Sequence, residues 1–247
     1  MSRPVVTLTS DFGAGSPYVA AMKAVILRGC PDATLIDVTH EVPAFDINQA
    51  SFLLWAGTRD YGPGSVHLAV VDPGVGTTRR GLALDVGGRF YVGPDNGLFS
   101  LVLEYAQISN GVALSRQPGA SPTFEGRDIF AVAAARLAGG VPLATLGVSI
   151  TDPTRLPPLP TSVLWVDNFG NLVTNLRAPI GGVRVGETLV TSTAQTYGEA
   201  EPGKPFWYVG SLGYVEVGVP GGRADRLLRA RVGTLVEVIP RLSSPRD

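Results

Sequence analysis

Apolar and polar residues alternate along the first 150 positions with two periods, one typical of strands and one typical of helices. Short apolar runs end at small or acidic residues, and longer amphipathic segments separate them. The pattern predicts strands at 5–9, 33–39 and 66–71, a hairpin at 82–92, a strand near 112, and helices at 17–27, 47–58, after 97 and at 128–138. This alternation indicates an α/β domain with a largely parallel sheet over residues 1–150.

The pattern changes after a proline-rich stretch. Residues 151–161 read TDPTRLPPLPT, with four prolines in eleven positions, which favours an extended linker. Helical periodicity is then nearly absent except at 224–230, and short strands follow at 163–167, 172–176, 184–191, 207–209, 214–219 and 235–239. Residues 162–247 are therefore predicted to form a smaller β-barrel domain.

Composition narrows the class of protein. The 247 residues are 45% hydrophobic and 17% charged with a net charge of −1, so no electrostatic attraction to nucleic acid or to an anionic membrane is expected. No apolar run is long enough to span a bilayer, and the strand-like segment at residues 4–10 leads us to expect no secretory leader. The single cysteine, Cys30, excludes an internal disulfide and is consistent with the cytoplasm.

Two strand ends carry the first candidate site residues. Asp11 follows the first strand, and a carboxylate there is suited to accept hydrogen bonds from a ribose diol or, alternatively, to cap a turn. Asp72 and Arg79 lie in the loop VDPGVGTTRR, where glycines allow a sharp turn that brings the two charges together. A simple loop-stabilising salt bridge is the alternative. Neither a phosphate-binding glycine loop nor a Cys/His metal cluster is present in the sequence.

Two further segments carry polar groups in unusual combinations. TFEGRD places Glu125 at the start of a helix, where an acid is also favoured by the helix dipole alone. WVDNFGNLVTN places Asp167, Phe169, Asn171 and Asn175 around one glycine. An aromatic ring and an amide are suited to stack on a purine and read its edge, while an Asx-rich hairpin turn is the structural alternative.

Taken together, six segments resemble a known family. They are TLTSDFG (7–13), DVTHEVPAFDI (37–47), VVDPGVGTTRR (70–80), GPDNG (93–97), TFEGRD (123–128) and DNFGN-x-x-TN (167–175). In this order they resemble the SAM hydroxide adenosyltransferase family, which is related in fold to the bacterial fluorinase and chlorinase. The resemblance implies hydrolysis of S-adenosyl-L-methionine (SAM) to adenosine and L-methionine. It also implies no metal or organic cofactor, and a homotrimer with sites between neighbouring subunits.

The resemblance also assigns roles to individual residues. Asp72 and Arg79 match two members of the family's water-handling set of aspartate, arginine and histidine. The substrate-binding positions that carry over are Asp11 for the ribose hydroxyls, Phe45 against the sugar, Asp167 for the methionine ammonium, Phe169, Asn171 and Tyr197 for adenine, and Ser211 near the methionine carboxylate.

The chain departs from the family pattern at its third water-handling residue. The family usually has histidine where Glu125 stands, so Glu125 is the candidate proton acceptor or water orienter, with Arg79 and Arg80 to offset its repulsion from Asp72. Leu212 lies where the fluorinase has an arginine. The segment SLGYVEVGVPGG (211–222) also lacks the asparagine-rich stretch that is often found there in the family. Two alternatives follow: a SAM- or adenosine-binding protein that has lost catalysis, and an adenosyl-halogenase, which two carboxylates in the site disfavour.

Overall fold

The computed structural model describes residues 3–116 and 118–241, in two compact units. The first runs from Met1 to Leu156 and the second from Pro157 to Asp247. The division falls inside the proline-rich stretch, because its first half packs on the first unit: the backbone N–H of Thr154 donates to Asp95 (2.7 Å) and that of Leu156 to Ser100 (2.8 Å). In the described part of the chain, no helix combines the length and apolar character needed to cross a membrane.

The first unit is built on a seven-stranded sheet of order β2-β1-β3-β5-β4-β6-β7. Its strands are β1 (Val5–Ser10), β2 (Thr34–Thr39), β3 (Val66–Val70), β4 (Gly81–Val86), β5 (Arg89–Pro94), β6 (Ile108–Leu114) and β7 (Gly147–Ser149). The four strands from β2 to β5 pair in parallel, and the pairings from β5 to β7 are antiparallel. The sheet is therefore mixed, because the predicted β4–β5 hairpin is too short for the crossover that parallel pairing needs.

Helices cover the sheet. They are α1 (Pro17–Gly29), α2 (Ile47–Thr58), α3 (Ser100–Tyr105) and α4 (Ala131–Ala138), with a π-helical turn at Gly126–Phe130 and a 3₁₀ turn at Leu143–Thr145. Ser16 and Asp46 cap α1 and α2 by accepting hydrogen bonds from the backbone N–H groups of Tyr18 and Gln49. The main core lies between the sheet and helices α1 and α4, and its members include Met22, Leu68 and Phe130.

The second unit contains two antiparallel sheets. One has the order β11-β10-β14 and the other β12-β13-β9-β8. The elements are β8 (Val163–Val166), β9 (Leu172–Thr174), β10 (Gly182–Val185), β11 (Thr188–Val190), β12 (Phe206–Val209), β13 (Val215–Gly218), α5 (Ala224–Leu227) and β14 (Val236–Ile239). The single strand predicted at 184–191 is wrong: the chain reverses at Gly186, which has a φ of +57°, and forms the β10–β11 hairpin.

Candidate functional site

The polar site of the first unit lies where two strands end side by side. β1 and β3 are parallel neighbours, with Ser10 opposite Val70, so Asp11 and Asp72 follow them at the same edge of the sheet. The chain leaves β1 toward β2 on one side, and β3 lies on the other side of β1. Open α/β sheets bind ligands at such a switch point, because the flanking loops diverge and leave a crevice.

A cleft of about 270 Å³ occupies this position. Four of the candidate residues line it: Asp11, Phe45, Asp72 and Glu125. The remaining lining residues, which sequence reasoning did not single out, are Phe12, Ala44, Val70, Val75, Thr123, Phe124 and Gly126. The wall is thus mainly apolar, with three carboxylates placed in it, which is the usual make-up of a small-molecule site.

Loop 72–79 reaches the TFEGRD segment through a close backbone contact. Gly76 has a φ of +78°, and a Cβ built on it would lie 2.6 Å from the carbonyl oxygen of Pro122. Only glycine fits both the left-handed backbone and the short approach. This contact sets the loop against the residues that lead to Glu125, which stands immediately before the π-helical turn.

Arg79 joins the two acidic side chains. Its Nη2 donates to Asp72 Oδ2 at 2.6 Å and also to Glu125 Oε2. All three side chains are nearly buried, exposing 9% for Arg79 and 5% for each acid. One guanidinium therefore bridges two carboxylates out of water, and the loop salt bridge considered from sequence is part of the cluster.

A second arginine completes this cluster, and it is not the expected one. Arg80 does not contact Glu125; it pairs with Asp95 (2.6 Å) and Asp152 (3.0 Å). Arg116 instead places Nη2 at 3.1 Å from Glu125 Oε1. Arg116 comes from the segment after β6, which carries no motif, so no sequence signal marked it. Both Glu125 oxygens are thus engaged by arginines.

Asp72 differs from Glu125 in having one open oxygen. Among residues 3–116 and 118–241, no group makes a hydrogen bond to the buried Asp72 Oδ1, although the backbone of Gly74 lies near. Burial raises the pKa of the Asp72 carboxyl above its ordinary value, the Glu125 charge adds to the rise, and Arg79 opposes it. Asp72 is therefore a more basic carboxylate than an exposed one, and its side chain lines the cleft.

Asp11 and Phe45 meet across the mouth of the cleft. The backbone N–H of Phe45 donates to Asp11 Oδ2 at 3.0 Å. Phe45 has a φ of +66°, which is rare for a residue with a bulky side chain, and its ring is 66% exposed. A strained backbone that holds an exposed aromatic ring beside a carboxylate is a feature of ligand sites.

The candidate residues of the second unit form a separate cluster around the β8–β9 turn. Asp167 Oδ1 accepts the backbone N–H groups of Phe169 and Asn171, at 2.9 and 2.8 Å, and Oδ2 accepts Asn171 Nδ2 at 2.8 Å. Tyr197 donates to Asn171 Oδ1 at 2.5 Å. Asp167 therefore does act as an Asx-turn residue, and the same bonds fix the Asn171 amide beside Tyr197.

Two other candidates in this unit stand apart from those bonds. The Phe169 ring is 78% exposed at the tip of the turn. Ser211 is exposed on the loop between β12 and β13, and among the described residues no hydrogen bond joins it to the Asp167 cluster. In the same described ranges, no three His, Cys, Asp or Glu side chains are grouped so that they could hold a metal ion.

Family models match both units of the chain. The SAM hydroxide adenosyltransferase N-terminal domain matches residues 6–147, and the C-terminal domain of the same family matches residues 161–237. The chain belongs to the SAM hydroxide adenosyltransferase family. The resemblance carried by the six sequence segments is thereby confirmed.

Individual relatives of this family cover almost the whole chain. A protein of Thermus thermophilus named (R)-S-adenosyl-L-methionine hydrolase is 42% identical, over 96% of this chain and 100% of its own length. A protein of Salinispora arenicola with the same name is 40% identical, over 96% and 98%. A solved structure from Thermotoga maritima, titled an uncharacterized conserved protein, is similar with a TM-score of 0.88 and 32% identity, over 95% and 99%.

Proposed function

We propose that this protein hydrolyses S-adenosyl-L-methionine to adenosine and L-methionine by attack of water at the ribose C5′ carbon. Family membership supports the reaction class, and the names of two relatives specify the R configuration at sulfur. The single observation that carries the chemistry is Asp72, a carboxylate with a raised pKa that lines the cleft and whose Oδ1 has no hydrogen bond among the described residues. A water molecule that donates a hydrogen bond there is held next to a base.

The proposed step is an in-line displacement. The water oxygen forms a bond to C5′ while the C5′–S bond breaks, and the electron pair of that bond leaves with sulfur as the neutral thioether of methionine. Asp72 takes the proton released by the water. Because the sulfonium loses its positive charge as the carboxylate loses its negative charge, a water-poor cleft disfavours the reactants more than the transition state.

Glu125, Arg79 and Arg116 orient Asp72 and the attacking water. Both Glu125 oxygens are engaged, one by Arg79 and one by Arg116, so we assign Glu125 to positioning and Asp72 to proton acceptance. Arg79 holds Asp72 Oδ2, which leaves Oδ1 as the oxygen that accepts the hydrogen bond of the attacking water. The second arginine offsets the charge that a glutamate brings where the family usually has histidine.

The substrate contacts follow the resemblance. Asp11 binds the ribose hydroxyls, and Phe45 packs on the sugar. The remaining assignments are Asp167 for the methionine ammonium, Phe169, Asn171 and Tyr197 for adenine, and Ser211 for the methionine carboxylate. The exposed rings of Phe45 and Phe169 support these roles, because an aromatic ring left in water offers area for a ligand.

The test is incubation of the protein with each sulfonium epimer of SAM, followed by chromatography with and without chloride. We expect adenosine and methionine in both conditions, formed faster from the R epimer. Intact SAM with measurable binding would show a non-catalytic binding protein, and 5′-chloroadenosine would show a halogenase. Either result overturns the proposal. Asp72→Asn is the matched negative control, since it keeps the shape of the side chain and removes the base.

The fold of the second unit, the domain bounds, the location and the oligomeric state complete the proposal. We propose that residues 162–247 form a closed barrel; isolated bridges between Ser162 and Leu235 and between Thr193 and Trp207 support closure of the two sheets. We propose a 1–150 domain, a linker at 151–161, a cytoplasmic location, and a homotrimer with sites between neighbouring subunits, all from the resemblance and composition. Size-exclusion chromatography with light scattering measures the molar mass in solution and tests the trimer, since the mass of a single chain would contradict it.

A further inference from the structure

A continuous chain of hydrogen bonds crosses the second unit from β13 to the β8–β9 turn. Glu216 Oε2 lies 2.7 Å from the Tyr208 hydroxyl, which lies 3.0 Å from the Tyr197 hydroxyl. Tyr197 contacts Asn171 Oδ1 at 2.5 Å, and Asn171 Nδ2 contacts Asp167 Oδ2 at 2.8 Å. The antiparallel register of β12 and β13 sets Tyr208 opposite Glu216, which makes the first link.

Counting protons along the chain fixes the direction of each bond. The Asp167 oxygens accept from the turn, so the Asn171 amide must face Asp167 with its nitrogen and Tyr197 with its oxygen. Tyr197 donates its only hydroxyl proton to Asn171. The hydrogen bond between the Tyr197 and Tyr208 hydroxyls must therefore be donated by Tyr208. Since Tyr208 has no second proton, the bond to Glu216 is complete only if Glu216 is the donor. An ionised Glu216 would leave two hydroxyl oxygens facing each other without a hydrogen.

The surroundings favour this protonated state. Burial raises the pKa of the Glu216 carboxyl above its ordinary value, a hydrogen bond donated by Tyr208 to the ionised form opposes the rise, and the negative charge of Asp167 adds to it. Burial also raises the pKa of the Tyr208 hydroxyl, so the phenol keeps its proton. The backbone also leaves room for this series of hydrogen bonds. A Cβ on Gly218 would lie 2.3 Å from the Tyr197 hydroxyl, so glycine at this position allows the hydroxyl to approach closely.

We propose that Glu216 is protonated and that it fixes the orientation of the Asn171 amide through Tyr208 and Tyr197. In that orientation the second N–H of Asn171 donates to the bound purine, which suits the acceptor nitrogens of adenine. Glu216 is a positioning residue that touches no substrate. The inference rests on the proposed function in so far as it makes adenosine the ligand of Asn171.

Binding of adenosine to the full-length protein, measured by calorimetry, tests the positioning role. Tyr208→Phe and Glu216→Leu interrupt the chain, and we expect each to weaken adenosine binding about tenfold. KM for SAM should rise in parallel while kcat stays within about threefold. Glu216→Gln should bind within about twofold of the parent, because its amide N–H replaces the carboxyl O–H. Glu237→Gln, an exposed acid paired with Arg184, is the matched control.

Infrared spectroscopy tests the protonation separately. The difference spectrum between the parent and Glu216→Gln at neutral pH should contain the C=O band of a protonated carboxyl group. A carboxylate band in its place overturns the proposal. Unchanged adenosine affinity in Tyr208→Phe, or an equal loss in Glu216→Gln and Glu216→Leu, also overturns it. If the parent binds neither SAM nor adenosine, the proposed function fails, while the infrared result still decides the state of Glu216.

Discussion

Two clusters in this molecule hold acidic side chains by different means, one nearly buried and one half-buried. In the first unit, Asp72 and Glu125 are bridged by Arg79, and Arg116 adds a second positive charge. In the second unit, Glu216 is linked to Asp167 through hydroxyl and amide groups alone. In the first cluster, arginines balance the charge of the carboxylates. In the second cluster, every hydrogen bond is made only when Glu216 carries a proton.

The difference corresponds to the work each cluster does in the proposed reaction. A proton acceptor must remain ionised, so Asp72 needs a cation that keeps it ionised while leaving one oxygen open. A group that recognises the substrate must present a hydrogen-bond donor or acceptor in a fixed orientation. A series of hydrogen bonds between uncharged groups fixes that orientation without a strong electric field at the site. The charged cluster is also more fragile, because the removal of one partner leaves a buried charge uncompensated. The loss of one neutral hydrogen bond costs only about 1 kcal/mol.

The largest expected effect comes from neutralising the acceptor in the charged cluster. Asp72→Asn keeps the shape of the side chain but removes the base, so we expect kcat to fall about 10²–10⁴-fold with SAM affinity within about threefold. Adenosine release by chromatography and SAM binding by calorimetry measure the two quantities. Asp152→Asn, which alters an exposed acid paired with Arg80, is the control and should leave both unchanged.

A different outcome would reassign the acceptor. If Asp72→Asn keeps more than about a tenth of the parent rate, Asp72 is not the base. Glu125→Gln is then the variant to compare, because Glu125 also lines the cleft and shares Arg79 with Asp72. Loss of activity in Glu125→Gln alone would move proton acceptance to the residue that stands where the family has histidine.

The second effect concerns stability and compares the clusters directly. Arg79→Ala leaves two nearly buried carboxylates without their shared donor, so we expect the free energy of unfolding to fall by about 3–5 kcal/mol. Tyr197→Phe removes a hydroxyl that makes two neutral hydrogen bonds and should cost about 1–2 kcal/mol. Denaturant unfolding of both variants measures the difference. Equal losses would mean that charge does not distinguish the clusters, and Arg184→Ala provides the control for an exposed ion pair.

Much of the charged site could be predicted from sequence because it follows the ends of strands. Buried strands are visible as apolar runs, and a parallel sheet brings their carboxyl ends to one edge, so Asp11 and Asp72 were expected together. The glycines of loop 72–79 marked the turn, and the structure explains Gly76 by its contact with Pro122. Helix α2 was predicted with its bounds, and the structure adds its cap at Asp46.

What could not be predicted depends on pairing between distant segments. Arg116 lies outside every sequence motif, and only the fold places it beside Glu125. Arg80, which was expected near Glu125, pairs with Asp95 instead. Tyr208 and Glu216 become partners through the register of two short strands, which a sequence does not specify. The β10–β11 hairpin was missed because its turn, Gly186 and Glu187, is only two residues long and lies inside a segment rich in residues that favour strands.

The third effect is a pH dependence of the charged cluster. Asp72 must be ionised to accept a proton, and burial raises its pKa above the ordinary value of 3.8. We therefore expect kcat/KM to fall about tenfold per pH unit on the acid side, with a midpoint above 3.8. Ionising Asp72 also costs stability, so between 3.8 and the raised pKa this group makes stability decrease as pH increases. A rate profile whose acid midpoint lies below 3.8 would contradict the assignment.

The smallest effect should come from Arg116, the member of the cluster nearest to solvent. Its side chain is 46% exposed and lies 3.1 Å from Glu125, so water and salt weaken the pair. We expect Arg116→Ala to lower kcat by about two- to fivefold, and Arg116→Lys to recover most of the loss because the charge returns. In the Glu125→His background, which restores the family residue, Arg116→Ala should have no effect, since the negative charge that Arg116 offsets is gone. An equal loss in both backgrounds, measured by adenosine release at matched ionic strength, would mean that Arg116 acts on something other than Glu125.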